Sequence, residues 1–111
     1  MSFVASSCST TMTESNTFDE MNALNPDFVI NLGDIHYSGF NQAQYEDFLF
    51  AYHELFKSKK QRDFYQHNPL VYTLDDHDVG NNNANYYSQS VPHVNKAYKV
   101  RKYIIYISFR I

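Results

Sequence analysis

The chain has 111 residues, 43% of them hydrophobic and 19% charged, with a formal net charge of -3 and a single cysteine. That length allows one small domain, the composition excludes a disordered polymer, and no apolar run is long enough to cross a bilayer. The slight negative charge gives no general attraction to nucleic acid or acidic lipid, and one cysteine excludes a disulfide within the chain.

Taken in chain order, Ser2 to Ser7 is short, small and partly apolar, which predicts a brief buried strand running into a Ser/Thr-rich loop from Cys8 to Asn16. Phe18, Met21 and Leu24 recur at helical spacing behind a Thr17 cap, and Asn25-Pro26 stops that helix. Asp27 to Leu32 is a β-branched, apolar run closed by Gly33-Asp34, the pattern of a buried strand that delivers a carboxylate at its carboxyl end. Beyond Gly39, Asn41 and Gln44 have the spacing of a capping box. Tyr45, Phe48, Leu49, Tyr52, Leu55 and Phe56 then form one helical stripe.

Lys57 to Gln66 reads as a polar stretch and Pro69 to Leu74 as the next strand, again ending in carboxylates, Asp75 and Asp76. Gly80 to Asn83 is a turn, Val91 to Tyr98 begins another helix, and Tyr103 to Ile107 has strand-like composition. Strand, helix, strand, helix, strand is the order of a layered α/β domain on a mainly parallel sheet. The N-terminus shows no basic cluster followed by an apolar core, so no secretory signal is read and the compartment is unspecified.

Two motifs carry chemistry. In Gly33-Asp34-Ile35-His36-Tyr37 a glycine permits close approach, a strand-end aspartate offers hard oxygen ligands, and Tyr37 adds a phenol. The same residues also suit a tight turn with Tyr37 packed on it. In Asp75-Asp76-His77-Asp78 three carboxylates crowd one imidazole, a concentration of charge that a cation relieves or that caps a helix N-terminus. Two acidic strand ends together suit hydrolysis at phosphorus, with Asp34 and Asp76 as metal ligands and His77 donating a proton to the leaving oxygen.

Asn25-Pro26-Asp27-Phe28 leading to Leu32-Gly33-Asp34-Ile35-His36-Tyr37, followed by Asp75-Asp76-His77-Asp78-Val79-Gly80-Asn81-Asn82, resembles the PhoD-like (alkaline phosphatase D) branch of the calcineurin-type metallophosphoesterases. An early Ala5-Ser6-Ser7-Cys8 stretch matches that family loosely. The resemblance covers residues 3 to 98 and implies a metal-dependent phosphomonoesterase or phosphodiesterase. Its cofactors would be two or more metal ions, iron with calcium or another divalent ion, and its partner a phosphate ester.

By the same resemblance Asp34 bridges the ions, Tyr37 and Cys8 ligate an iron-like ion, Asp76 binds metal, and His77 acts on the substrate. Asp75, Asp78 and Asn82 support them from behind. On its residues alone Cys8 equally suits a small buried hydrophobe.

The resemblance departs after His93, where the family's later histidine block has no counterpart, so the chain reads as residues 1–98 of an incomplete domain plus an atypical tail, 99–111. That predicts a partial metallophosphoesterase fold lacking its C-terminal half, self-associating through an exposed sheet edge. A catalytically silent metal-binding or interaction fragment of the same fold is the alternative. His53, His67 and His93 stand outside any ligand motif, and Lys96, Lys99, Arg101 and Lys102 read as a solvated face rather than a nucleic-acid site.

Overall fold

The computed structural model describes residues 1–38 and 44–108, those from 100 onward as backbone only. In chain order the elements are β1 (Phe3–Ser6), α1 (Asn16–Ala23), β2 (Phe28–Asn31), α2 (Tyr45–Leu55), α3 (Lys59–His67), β3 (Leu70–Tyr72), α4 (Asp76–Val79) and α5 (Val91–Ser108). The three strands form a parallel sheet in the order β1-β2-β3. Val4 pairs with Val29 and Val29 with Leu70, while Ser6 pairs with Asn31 and Asn31 with Tyr72. The protein is therefore a small α/β domain, as its strand and helix order implies.

Stepping in one direction across a sheet by right-handed crossovers puts every crossover helix on the same face. The burial pattern follows from that. Val4, Val29, Leu70 and Tyr72 point into the core, where they meet Phe18 of α1, Phe48, Tyr52 and Leu55 of α2, Phe64 and Tyr65 of α3, and Val94 and Ala97 of α5. The opposite face carries Phe3, Ala5, Phe28, Ile30 and Val71, with Phe3 and Val71 exposed and the Phe3 ring stacked on Phe28 at 5.5 Å. Each large apolar side chain buried in the core contributes about 1.5–3 kcal/mol.

Several elements differ from their sequence reading. The cap of α1 is Ser15, whose side chain accepts from the Thr17 amide, because the helix begins one residue before Thr17. The cap of α2 is Gln44, whose amide donates to Asp47 at 2.8 Å; Asn41 lies outside the described residues. The polar stretch after α2 is itself a helix, α3, which buries only Gln61, Phe64 and Tyr65 and so shows little apolar periodicity.

The strand-like composition of Tyr103 to Ile107 lies in helical backbone, since α5 runs without a break from Val91 across the 98/99 boundary to Ser108. Val94 and Ala97, three apart and fully buried, seat its first turns against α2. Among the described residues no helix is long and apolar enough to cross a membrane.

Candidate metal centre

Parallel strands bring all their carboxyl ends to one rim of the sheet, and the loops leaving that rim are knitted together. Leu32 donates to the Ser6 carbonyl at 2.9 Å, Cys8 to the Gly33 carbonyl at 3.2 Å, and Ser9 to the Asp34 carbonyl at 3.2 Å. The β2 loop turns sharply: Gly33 has φ 108° and Asp34 φ 52°. Asn31, fully buried at the end of β2, accepts from the Gly33 amide at 2.9 Å and so braces this turn. A side chain at position 33 would place its Cβ 2.4 Å from the Asp75 Cβ, so only glycine lets the two acidic loops touch.

Asp78 joins these loops. Its Oδ2 accepts from the amides of Asp34 at 2.6 Å and Asp75 at 2.9 Å, and its Oδ1 from the Ile35 amide at 2.9 Å. Burial pushes the Asp78 carboxyl above the usual carboxylate range, while Tyr72 and the three amides pull the other way. Asp75 is the N-cap of α4, so the acidic tetrad is a capped helix start as well as a carboxylate cluster.

The result is a convergence of Asp34, Asp76 and His77, with one ligand atom from each lying within 4.8 Å of the others. The His77 amide points between the two carboxylates, donating to Asp34 Oδ1 at 3.1 Å and Asp76 Oδ1 at 2.8 Å. The Asn83 amide donates to Asp76 Oδ2, and chiefly for that reason the Asp76 carboxyl is held below its ordinary range and stays ionised at neutral pH. His77 Nδ1 is shielded from solvent and has no hydrogen-bond partner among the described residues.

Tyr37 and Cys8 flank Asp34 on its other oxygen. The Tyr37 hydroxyl donates to Asp34 Oδ2 at 2.9 Å, and the Cys8 thiol lies 3.7 Å from the same atom. Hydrogen bonding with Cys8, then burial and the Asp34 charge, raise the Tyr37 phenol above its ordinary value. Its ring rests on His77 with centroids 4.5 Å apart, and Thr11 Oγ1 fixes its amide at 2.9 Å. Cys8 is exposed at the rim and not an apolar core group.

Asp34, Asp76 and His77 thus meet in one place; Tyr37 adjoins Asp34 and His77, Cys8 adjoins Asp34 alone, Asp78 clamps the loop behind Asp34, and Asp75 caps α4. Asn82 is exposed, and the amide that reaches Asp76 belongs to its neighbour Asn83. His53 and His67 are exposed, His67 Nδ1 lying 2.6 Å from the Asp63 carbonyl, and His93 stands half-buried in the first turn of α5, apart from the cluster. Comparison with protein-family models, with curated proteins and with solved structures gave no match. The site's chemistry therefore rests on its own geometry.

That geometry fits a cation. Two carboxylates and an imidazole are the mixed oxygen and nitrogen set that iron, zinc or manganese accepts, and the shielded His77 Nδ1 has no hydrogen-bond partner among the described residues. Asn31, Thr11 and Asn83 brace the site yet were not singled out in the sequence. Their contributions are a side chain under a turn, a hydroxyl under an amide, and a backbone donor. None leaves a signature beyond a polar residue near a loop.

Proposed function

We propose that the protein is a metal-dependent phosphoric ester hydrolase domain of the PhoD-like metallophosphoesterase type. The observation that carries this reading is the meeting of Asp34, Asp76 and His77 at the carboxyl rim of a parallel sheet, where α/β proteins bind ligands. Tyr37 and Cys8 beside the second oxygen of Asp34 would extend the donor set with a phenol and a thiol, a combination suited to iron beside a second divalent ion.

A bound ion supplies charge neutralisation at the phosphoryl oxygens and acidifies water. Asp34 and Asp76 hold that charge in place, and Asp78 fixes the loop that bears Asp34. Tyr37 packs on one side of the His77 ring and so sets its tilt. From there His77 ligates the ion or passes a proton to the leaving oxygen; the two roles differ in whether its substitution removes metal.

The second reading, a metal-binding domain without turnover, is favoured by the ligand count. Among the described residues the cluster joins three ligand groups, whereas two-ion hydrolysis needs a fuller set. Metal content by mass spectrometry on the purified chain and on Asp34→Asn tests both readings, with p-nitrophenyl phosphate and bis-p-nitrophenyl phosphate turnover measured on the same samples. We expect bound iron, zinc or manganese in the parent and at least a tenfold loss of occupancy in the variant. Turnover that disappears with the metal makes the chain an enzyme, metal without turnover supports the silent reading, and a folded parent that binds no metal overturns both.

A further inference from the structure

Beside the metal cluster lies a cavity of about 400 Å³. Asp76 belongs to both, so the cavity and the metal cluster share one wall. Its apolar side is built by Leu74 after β3, Val79 of α4, Ala84 of the following loop and Val91 at the start of α5, and its polar side by Asp75, Asp76, Asn85 and Asn95. Tyr86 stands at its lip, 82% exposed, and its ring meets that of Tyr87 edge-on at 5.7 Å.

The wall is held in place. Ser90 Oγ donates to the Val79 carbonyl and ties α5 to α4. The Ala84 amide donates to the Asn81 carbonyl at 2.8 Å, and the Asn85 amide to Ser88 Oγ at 2.9 Å, closing two consecutive turns. A braced hollow with one apolar side and two carboxylates, Asp75 and Asp76, on the other accepts a neutral apolar group and repels a second anion. The exposed tyrosines at its lip offer ring faces for stacking.

We propose that this cavity is the leaving-group subsite of the metal centre, selecting phosphate esters whose leaving group is apolar or aromatic over those bearing a small alkyl or a further phosphate. The proposal rests on the metal-centre reading above, and its test keeps the two apart. Isothermal titration of the full chain with Mn²⁺ alone is followed, on the metal-loaded protein, by titration with methylphosphonate and phenylphosphonate, which share a head group and differ in the group that would enter the cavity.

The expected result is Mn²⁺ binding, and phenylphosphonate binding at least about tenfold tighter than methylphosphonate, the scale that burying one ring supplies. Ala84→Trp, which fills the hollow, removes that preference and leaves Mn²⁺ and methylphosphonate binding unchanged. Tyr86→Ala, at an exposed position, narrows the preference. Mn²⁺ and both phosphonates bound with equal affinity for the two overturn the subsite alone, as does a preference that survives in a folded Ala84→Trp. Absence of binding by Mn²⁺, and by Zn²⁺ and Fe²⁺ titrated in its place, overturns the metal centre and the subsite with it.

Discussion

His36 sits two residues beyond Asp34, fully buried, with its ring edge-on to Tyr52 at 5.5 Å between centroids. Burial, more than any charge, pulls its pKa down to about 4; Asp34 opposes the shift and His77 adds to it. The unfolded chain protonates this imidazole near its ordinary value and the folded chain only near 4. The folded state thus binds fewer protons in that window, and its stability is fully present above about pH 6.5 and lost as pH falls toward 4. Between pH 7 and pH 5 the loss amounts to about 2 kcal/mol. Urea unfolding at both pH values should show that loss shrinking by a similar amount in His36→Leu; equal losses in parent and variant would contradict it.

At this scale the convergence of Asp34, Asp76 and His77 into a group that could hold an ion was legible because donor chemistry is written in residue type. The clamp made by Asp78 was legible only in outline. Its acceptance of the Asp34 and Ile35 amides spans 44 and 43 residues of chain, and no local pattern encodes which backbone a carboxylate will meet.

Among the elements, α3 shows how a helix hides from periodicity. Lys59, Lys60, Arg62 and Asp63 fill its first turns, and what it buries includes Gln61, a polar residue whose Nε2 donates to the Thr10 carbonyl at 3.0 Å. A start signal was nonetheless present in Ser58. Its Oγ accepts from the Gln61 amide at 3.2 Å and donates to the Thr13 carbonyl at 2.6 Å, joining α3 to the loop before α1. Ser58→Ala loses the cap and leaves the part-buried Thr13 carbonyl without its donor, so it should destabilise the protein by about 1–2 kcal/mol, read from denaturant midpoints. A change below a few tenths would mean that α3 is held by Phe64 and Tyr65 alone.

The tail fails differently. Ile and Tyr favour strands on composition, but a helix already begun at Val91 and anchored by Val94 and Ala97 propagates at little cost per residue, and local composition yields to it. β2 was legible almost to the residue, because a short β-branched run between a proline turn and a glycine has few other conformations.

For the whole molecule, the one-sided helix layer matters most. Parallel sheets are ordinarily covered on both faces, yet here Phe3, Leu32 and Val71 are each more than half exposed. The sequence reading placed self-association at a sheet edge; the open face adds a broader apolar surface to that edge. We expect light scattering to show association rising with protein concentration, and Phe3→Thr with Val71→Thr to reduce it while metal content stays constant. A parent chain that remains monomeric at high concentration would remove this expectation. The face was not legible beforehand, since alternation within three short strands says which residues share a side but not whether anything covers it.

The rim of the sheet gathers its polar side chains from far along the chain: Cys8 and Asp34 are 26 residues apart, and Asp34 and His77 are 43. No turn or hairpin assembles them early, so the site comes into existence only after three strands have found their parallel register, the slowest kind of contact a small domain makes. An ion that binds there reads out finished topology, and its apparent affinity contains the free energy of folding. A slowly folding or partly folded population would then masquerade as a weak binder, and the onset of metal uptake would keep time with the last strand to dock.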